Sequence, residues 1–372
     1  TFIDGGKGIL RYRGYAIEEL CEKSDFLESA FLVLYGHLPT ADEKASFQAG
    51  INSAAGMPAE MVGHLNAFPK DAPPMATLSS LISVLAAHNT DDLGVAVEGE
   101  SFTRPLYTIM AQVLELAAGQ YRVNLGKTPN TYNPELSYAA NFMHLMFSEP
   151  GQPYEVLPAV EKAMDLFLIL HADHEQNCST STVRIVGSSQ SNLFSSVSAG
   201  VGALWGPLHG GANCEVIKML NSIHNDGIAP SDFVAQAKDK TSGVKLMGFG
   251  HRVYKNFDPR AKVLKVQVDN VLEALNIDDP LMGIAKELEE MARSDSYFVD
   301  RNLYPNVDFY SGILLKALNI PIDMFTVLFA IGRIPGWIAN YRELHVQGQR
   351  IGRPRQIYTG AALRDYTDIS AR

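Results

Sequence analysis

Gly206-Pro207-Leu208-His209-Gly210-Gly211 divides the chain. Proline and glycine at this density end one helix and delay the next. From about Ala212 to Pro321 the helical segments are more polar and their charges denser. From Met324 the sequence turns apolar again, in Phe325-Thr326-Val327-Leu328-Phe329-Ala330-Ile331-Gly332-Arg333. The pattern predicts a smaller helical domain, residues 212–325, inserted in a larger one formed by residues 1–211 plus 326–372, with hinges at both crossings. A cleft between domains is a usual place for a ligand site.

The same helical character extends through the rest of the chain. Long amphipathic segments are separated by Pro, Gly, Asn and Asp, and few runs alternate at period two. Thr40 is placed to cap a helix over Ala41–Phe47, and further helices are expected at about Met75–His88, Leu136–Phe147 and Pro158–His171. The segment Ser195–Trp205 is rich in small residues, which lets another helix approach closely. A strand is suggested only by short pieces such as Gly8–Arg13, and no repeat of solenoid length occurs. The fold class is mainly α.

Composition narrows the function. The chain has 372 residues, 46% hydrophobic and 19% charged, within reach of one large globular unit or two closely joined domains. A formal net charge of −10 argues against a general nucleic-acid binder, which needs a basic face. Three cysteines, Cys21, Cys178 and Cys214, with no CxxC spacing, point to a reducing compartment. Apolar runs such as Leu166–Leu170 are too short to span a bilayer, and no secretory signal stands at Thr1. The expectation is a cytoplasmic protein.

Several residues can carry chemistry. Asp308, in Tyr304-Pro305-Asn306-Val307-Asp308-Phe309-Tyr310-Ser311-Gly312, is a carboxylate among rings near a helix start, with Gly312–Leu318 read as the helix. Helix amides stabilise its anion and desolvation opposes it, a balance suited to a general base; taken alone it reads more readily as a plain helix-start acid, and the histidines and arginines below change that. His209, before a helix at Ala212–Leu220, is either a capping residue or a neutral hydrogen-bond donor. His251 stands in Gly248-Phe249-Gly250-His251-Arg252-Val253-Tyr254-Lys255-Asn256-Phe257-Asp258-Pro259-Arg260. From Lys245 to Lys265 six basic residues (Lys245, Arg252, Lys255, Arg260, Lys262, Lys265) stand against one acid, Asp258, forming a positive focus for a polyanion. Arg333, in an apolar helix, needs an anion to offset its burial, whether a ligand carboxylate or an internal acid. His171 and His174, at i and i+3, are read as sharing a helix face, the one metal-like spacing here, but a catalytic zinc needs three ligands and no third is evident. No nucleophile elbow or reactive-cysteine motif occurs.

Taken together, HADHEQN with His174, GPLHGGAN with His209, GFGHRVYKNFDPRA with His251, YPNVDFYSG with Asp308, FAIGR with Arg333 and RPRQIYTG with Arg353 resemble the citrate synthase family in order and spacing. The likeness covers nearly the whole chain, is strongest from Leu136 onward, and in wording is most similar to the long, Gram-negative bacterial class. It implies a two-domain helical fold that condenses acetyl-CoA with oxaloacetate to citrate and CoA without metal or cofactor. It also implies roles: His209, His251 and Asp308 catalytic; His174, His251, Arg260, Arg333 and Arg353 on oxaloacetate; Lys255 with Val244, Leu246, Met247, Gly248 and Gly250 on CoA. In the family the residue matching Arg353 comes from a partner subunit, so the resemblance implies a dimer or a hexamer of three dimers. Two departures stand out. The β-rich segment of about fifty residues that usually precedes the point matching Thr1 in the long class is absent, and Ile51-Asn52-Ser53-Ala54-Ala55 replaces the basic residues of NADH-inhibited relatives. The rival readings are 2-methylcitrate synthase using propionyl-CoA, a metallohydrolase built on His171 and His174, and a non-enzymatic helical scaffold.

Overall fold

In a computed structural model, which describes residues 1–152 and 154–372, helices carry nearly all of the fold. The helix Phe325–Val346 is its axis. It packs against Phe26–Tyr35, Glu100–Asn124, Pro158–His171, Cys178–Gly187 and Leu193–Trp205, and all but four of its residues are buried. The preceding turn and this helix, Ile322–Val346, are long and apolar enough to cross a membrane, with a mean hydropathy of 1.4. This corrects the expectation drawn from short apolar runs: Gly332, Arg333, Pro335 and Asn340 interrupt any continuous run. Its most apolar window is 89% buried within the protein, as suits a core helix. Gly336 lets the axis approach the end of Pro158–His171, since a Cβ there would lie 2.9 Å from the Asp173 carboxylate. That crossing brings Arg333 beside His171.

The helices expected from sequence form at Ala41–Ala54, Pro74–His88, Tyr138–Phe147, Pro158–His171 and Leu193–Trp205. Thr40 caps the first in a full capping box with Glu43. Residues 1–16 form a three-stranded antiparallel sheet, Phe2–Asp4, Ile9–Tyr12 and Tyr15–Ala16, with Ile3 opposite Leu10 and Tyr12 opposite Tyr15. Two sequence readings need correction. Helix Val307–Ala317 starts at Val307, not Gly312, because the Asn306 side chain caps it. His171 ends its helix and His174 lies beyond, in an isolated bridge with Gln176, so the two histidines do not share a helix face.

Beyond Gly211, Ala212–Asn225 packs on Pro280–Ser294 and Val307–Ala317, and Pro259–Ala274 packs on Val307–Ala317. Pro259–Ala274 also rests on Ile17–Lys23 and Pro158–His171. That contact brings the 259–274 helix, with Arg260 near its start, up to the helix that ends at His171.

Candidate active site

A cleft of about 600 Å³ is lined by His174, His209, His251, Arg260, Asp308 and Arg333, together with Gly250. Six residues singled out in the sequence thus converge from five separate segments. Arg353 is not among the lining residues; it lies on the exposed, extended segment after Val346. The base of that segment is held by Gly352, which donates to Ser188 Oγ at 2.8 Å, and by Gln349, which accepts from Arg184 at 2.9 Å. Lys255 is exposed, Gly248 is buried, and Val244, Leu246 and Met247 pack partly buried against the core on the loop leading to Gly250. Lys265 pairs with Glu289 at 2.6 Å, so it belongs to a structural ion pair rather than to the positive focus.

Asp308 owes its place to Asn306. The Asn306 side chain accepts from Asp308 N at 3.0 Å and donates to Gly250 O at 2.8 Å, while Asn306 N donates to Gly248 O at 2.9 Å. Gly250 N returns a bond to Tyr304 O at 2.7 Å. The loop bearing His251 and the turn bearing Asp308 are therefore stitched together. Burial raises the Asp308 pKa from 3.8 to about 6, against the pull of Arg260 and with help from Asp258.

Two of the histidines have a defined proton. His209 Nε2 accepts from Ser179 N at 3.2 Å and lies 2.9 Å from Ser179 Oγ, which assigns the proton to Nδ1. His251 Nδ1 accepts from Val253 N at 3.0 Å and Tyr254 N at 3.2 Å, so its Nε2 carries the proton. Burial lowers both pKa values to about 4, aided by Arg333 at His209 and by Arg260 at His251. His174, 3.2 Å from Tyr254 OH, is held well below the usual histidine range by burial and then by Arg260 and Arg333. All three are neutral donors at neutral pH.

The two arginines differ. Arg260 is paired: Nε and Nη2 donate to the Asp258 carboxylate at 3.0 and 2.8 Å. The second Asp258 oxygen also accepts from Val307 N at 3.1 Å, tying this ion pair to the Asp308 helix. Arg333 is 1% exposed, donates from Nε to His171 O at 2.5 Å, and leaves Nη1 without a partner. Burial lowers its pKa to about 10, with Asp173 opposing. A buried cation with a vacant donor beside a cleft is built for an anionic group. The cleft thus offers a base, two neutral donors and a clamp for a carboxylate.

Residues 1–355 match the family model described as citrate synthase, C-terminal domain. The chain belongs to the citrate synthase family. It is 51% identical to citrate synthase 1 of Mycobacterium tuberculosis (strain H37Rv) over 373 residues, covering all of this chain and 86% of that protein. With the citrate synthase of Corynebacterium glutamicum it shares 49% identity over 362 residues, 97% of this chain and 82% of the relative. Among solved structures, the citrate synthase of Pyrobaculum aerophilum matches with a TM-score of 0.90 at 36% identity, covering 100% of this chain and 91% of that one. That of Thermoplasma acidophilum, solved as a ternary complex with carboxymethyl coenzyme A and oxaloacetate, matches with 0.89 at 30% identity, covering 100% and 95%. The protein is an enzyme, an acyltransferase of this family.

Sequence reading missed the residues that hold this site in shape. Ser179 sets the His209 proton and also accepts from Trp337 at 3.1 Å. Tyr254 joins His174 to Arg260, whose guanidinium lies 5.8 Å from the Tyr254 ring centre. In the sequence Asp258 stands out only as a lone acid in a basic stretch. The Asp258-Pro259 pair, an N-cap followed by proline at the first helical position, was the available signal; nothing local marks Ser179 or Tyr254.

Proposed function

We propose that this enzyme condenses acetyl-CoA with oxaloacetate and water to give citrate and CoA. The observation that carries the reading is the raised carboxylate of Asp308 in one cleft with the Nδ1–H of His209, the Nε2–H of His251 and the unpaired Arg333. Asp308 takes a proton from the thioester methyl while His209 donates to the thioester oxygen as it becomes enolate-like. Base and donor acting together ionise a weak carbon acid. The methylene carbon then attacks the oxaloacetate carbonyl carbon, and the oxygen that gains charge accepts from His251. Water cleaves the citryl thioester, releasing CoA as thiol and leaving a carboxylate. This sequence of steps needs no metal and no cofactor besides the CoA substrate.

Arg260, Arg333 and Arg353 hold the two oxaloacetate carboxylates and His174 orients them. Arg353 is supplied by a second copy of the chain, reached by the exposed segment after Val346, in a dimer or a hexamer of three dimers. Lys255 and the loop with Val244, Leu246, Met247, Gly248 and Gly250 meet CoA. Residues 212–325 act as the smaller domain that closes on the rest, residues 1–211 and 326–372, and excludes water from the enolate. The reading places the enzyme in the cytoplasm.

A propionyl-CoA enzyme making 2-methylcitrate would use the same residues, and one methylene discriminates by only about 1–3 kcal/mol. Measuring kcat/KM for acetyl-CoA and propionyl-CoA side by side tests the choice. Acetyl-CoA is expected to win; a preference for propionyl-CoA would overturn it.

A further inference from the structure

The amino-terminal sheet touches both histidine segments that meet oxaloacetate in the proposed reaction. On one side it is bolted to the His174 segment. Tyr12 OH donates to Ile169 O at 3.0 Å, Asp173 N reaches the same hydroxyl at 3.4 Å, and Ile3 N donates to the Glu175 carboxylate at 3.1 Å. On the other side, the turn joining its first two strands, Gly5-Gly6-Lys7-Gly8, lies against the loop that follows His251. Lys255 N donates to Gly5 O at 2.8 Å. Gly5 is pressed so closely on the Val253 carbonyl that a Cβ there would overlap it, and a Cβ on Gly8 would lie 2.6 Å from Phe257 O. The neighbouring Gly6 is open by comparison, its nearest contact being its own turn's Asp4 at 3.5 Å.

Val253, gripped in this way, and its neighbour Tyr254 are the residues that orient His251. Val253 N and Tyr254 N both donate to His251 Nδ1 and so fix which nitrogen carries the proton. The next amide, Lys255 N, is the one the sheet holds. We infer that the Gly5–Gly8 turn is a positioning strap, which clamps residues 253–257 so that His251 presents Nε2–H to the oxaloacetate carbonyl, in register with His174. Gly5 is its key residue, because no side chain fits between the turn and Val253. The strap touches no substrate and acts through His251. It rests on the role given to His251 above.

The test compares Gly5→Ala with Gly6→Ala in the full chain, using peptide-resolved amide hydrogen exchange and steady-state kinetics. Gly5→Ala should speed exchange in the peptide spanning 250–258 by about tenfold or more while the Phe325–Val346 helix stays protected. It should lower kcat by about tenfold, more than it changes KM for acetyl-CoA, because the lost donor geometry matters most in the transition state. Gly6→Ala should match wild type in both. If Gly5→Ala fails to fold, Gly8→Ala takes its place and is read against Gly14→Ala, which shares the left-handed backbone but has open space around it. Equal exchange in the 250–258 peptide of the two variants, or faster exchange with unchanged kcat, would overturn the strap. Wild-type protein that releases no thiol from acetyl-CoA and oxaloacetate would instead overturn the proposed reaction, leaving the exchange result to decide the strap.

Discussion

Replacing Asp308 by Asn separates catalysis from stability in one residue. The carboxyl pKa is raised from 3.8 to about 6 by burial. Below pH 3.8 the group is neutral in folded and unfolded chains alike, and ionisation costs nothing. Between 3.8 and 6 the unfolded chain loses the proton while the folded one keeps it, so stability falls as pH rises. Above 6 the full cost is present. The rise from 3.8 to about 6 corresponds to about 3 kcal/mol, an upper figure because the carboxylate faces the cleft and water screens part of it. Asn keeps the shape and carries no charge. Denaturant unfolding at fixed chain concentration should therefore find Asp308→Asn more stable than wild type at pH 8, by about 1–3 kcal/mol, with the gap closing toward pH 4. Meanwhile kcat should fall by several orders of magnitude, with oxaloacetate still bound. A stability difference that does not change between pH 4 and 8 would refute the buried-carboxylate argument. A kcat loss below about tenfold, roughly 1.4 kcal/mol in the barrier, would show Asp308 to be a bystander.

The pH dependence of kcat/KM should fall on the acid side with an apparent pKa near 6, as Asp308 takes up a proton, while His209 and His251 at about 4 stay neutral through that range; a profile flat from pH 7 down to 5 would contradict it. Mixing Arg353→Ala subunits with Asp308→Asn subunits should restore activity, up to about half per heterodimer, since one site then carries both defects and the other neither. No recovery despite proven subunit exchange would mean that Arg353 does not complete a neighbour's site. Oxaloacetate should shrink the small-angle scattering radius by closing residues 212–325 on the rest, and superimposable profiles with and without it would argue against closure.

Much of the helical framework followed from local chemistry. Thr40 and Glu43 announce a capping box, and Pro158 marks a helix start that the structure keeps. The longest helix, Glu100–Asn124, escaped notice because Pro105 sits inside it and Glu115, Gln120 and Arg122, all buried, blur its apolar stripe. Pairing of Arg122 with main-chain oxygens of Met146 and Ser148 makes that burial tolerable, and such long-range contacts leave no local trace. The same division runs through the site. His209, His251, Asp308 and Arg333 stand out because a polar group in a glycine-rich or apolar setting needs a reason. Ser179 and Tyr254 look ordinary in sequence and matter through partners thirty residues or more away, while Asp258 links Arg260, two residues on, to Val307 at the start of the Asp308 helix.

The central claim is that the cleft joins a deprotonated acetyl thioester to oxaloacetate and then hydrolyses the product. The direct measurement is thiol release by the wild-type protein on mixing acetyl-CoA with oxaloacetate, with the acid product quantified in the same sample. The account predicts thiol release that requires both substrates and citrate formed in equal amount. No thiol release, or release from acetyl-CoA alone with no citrate, would contradict it.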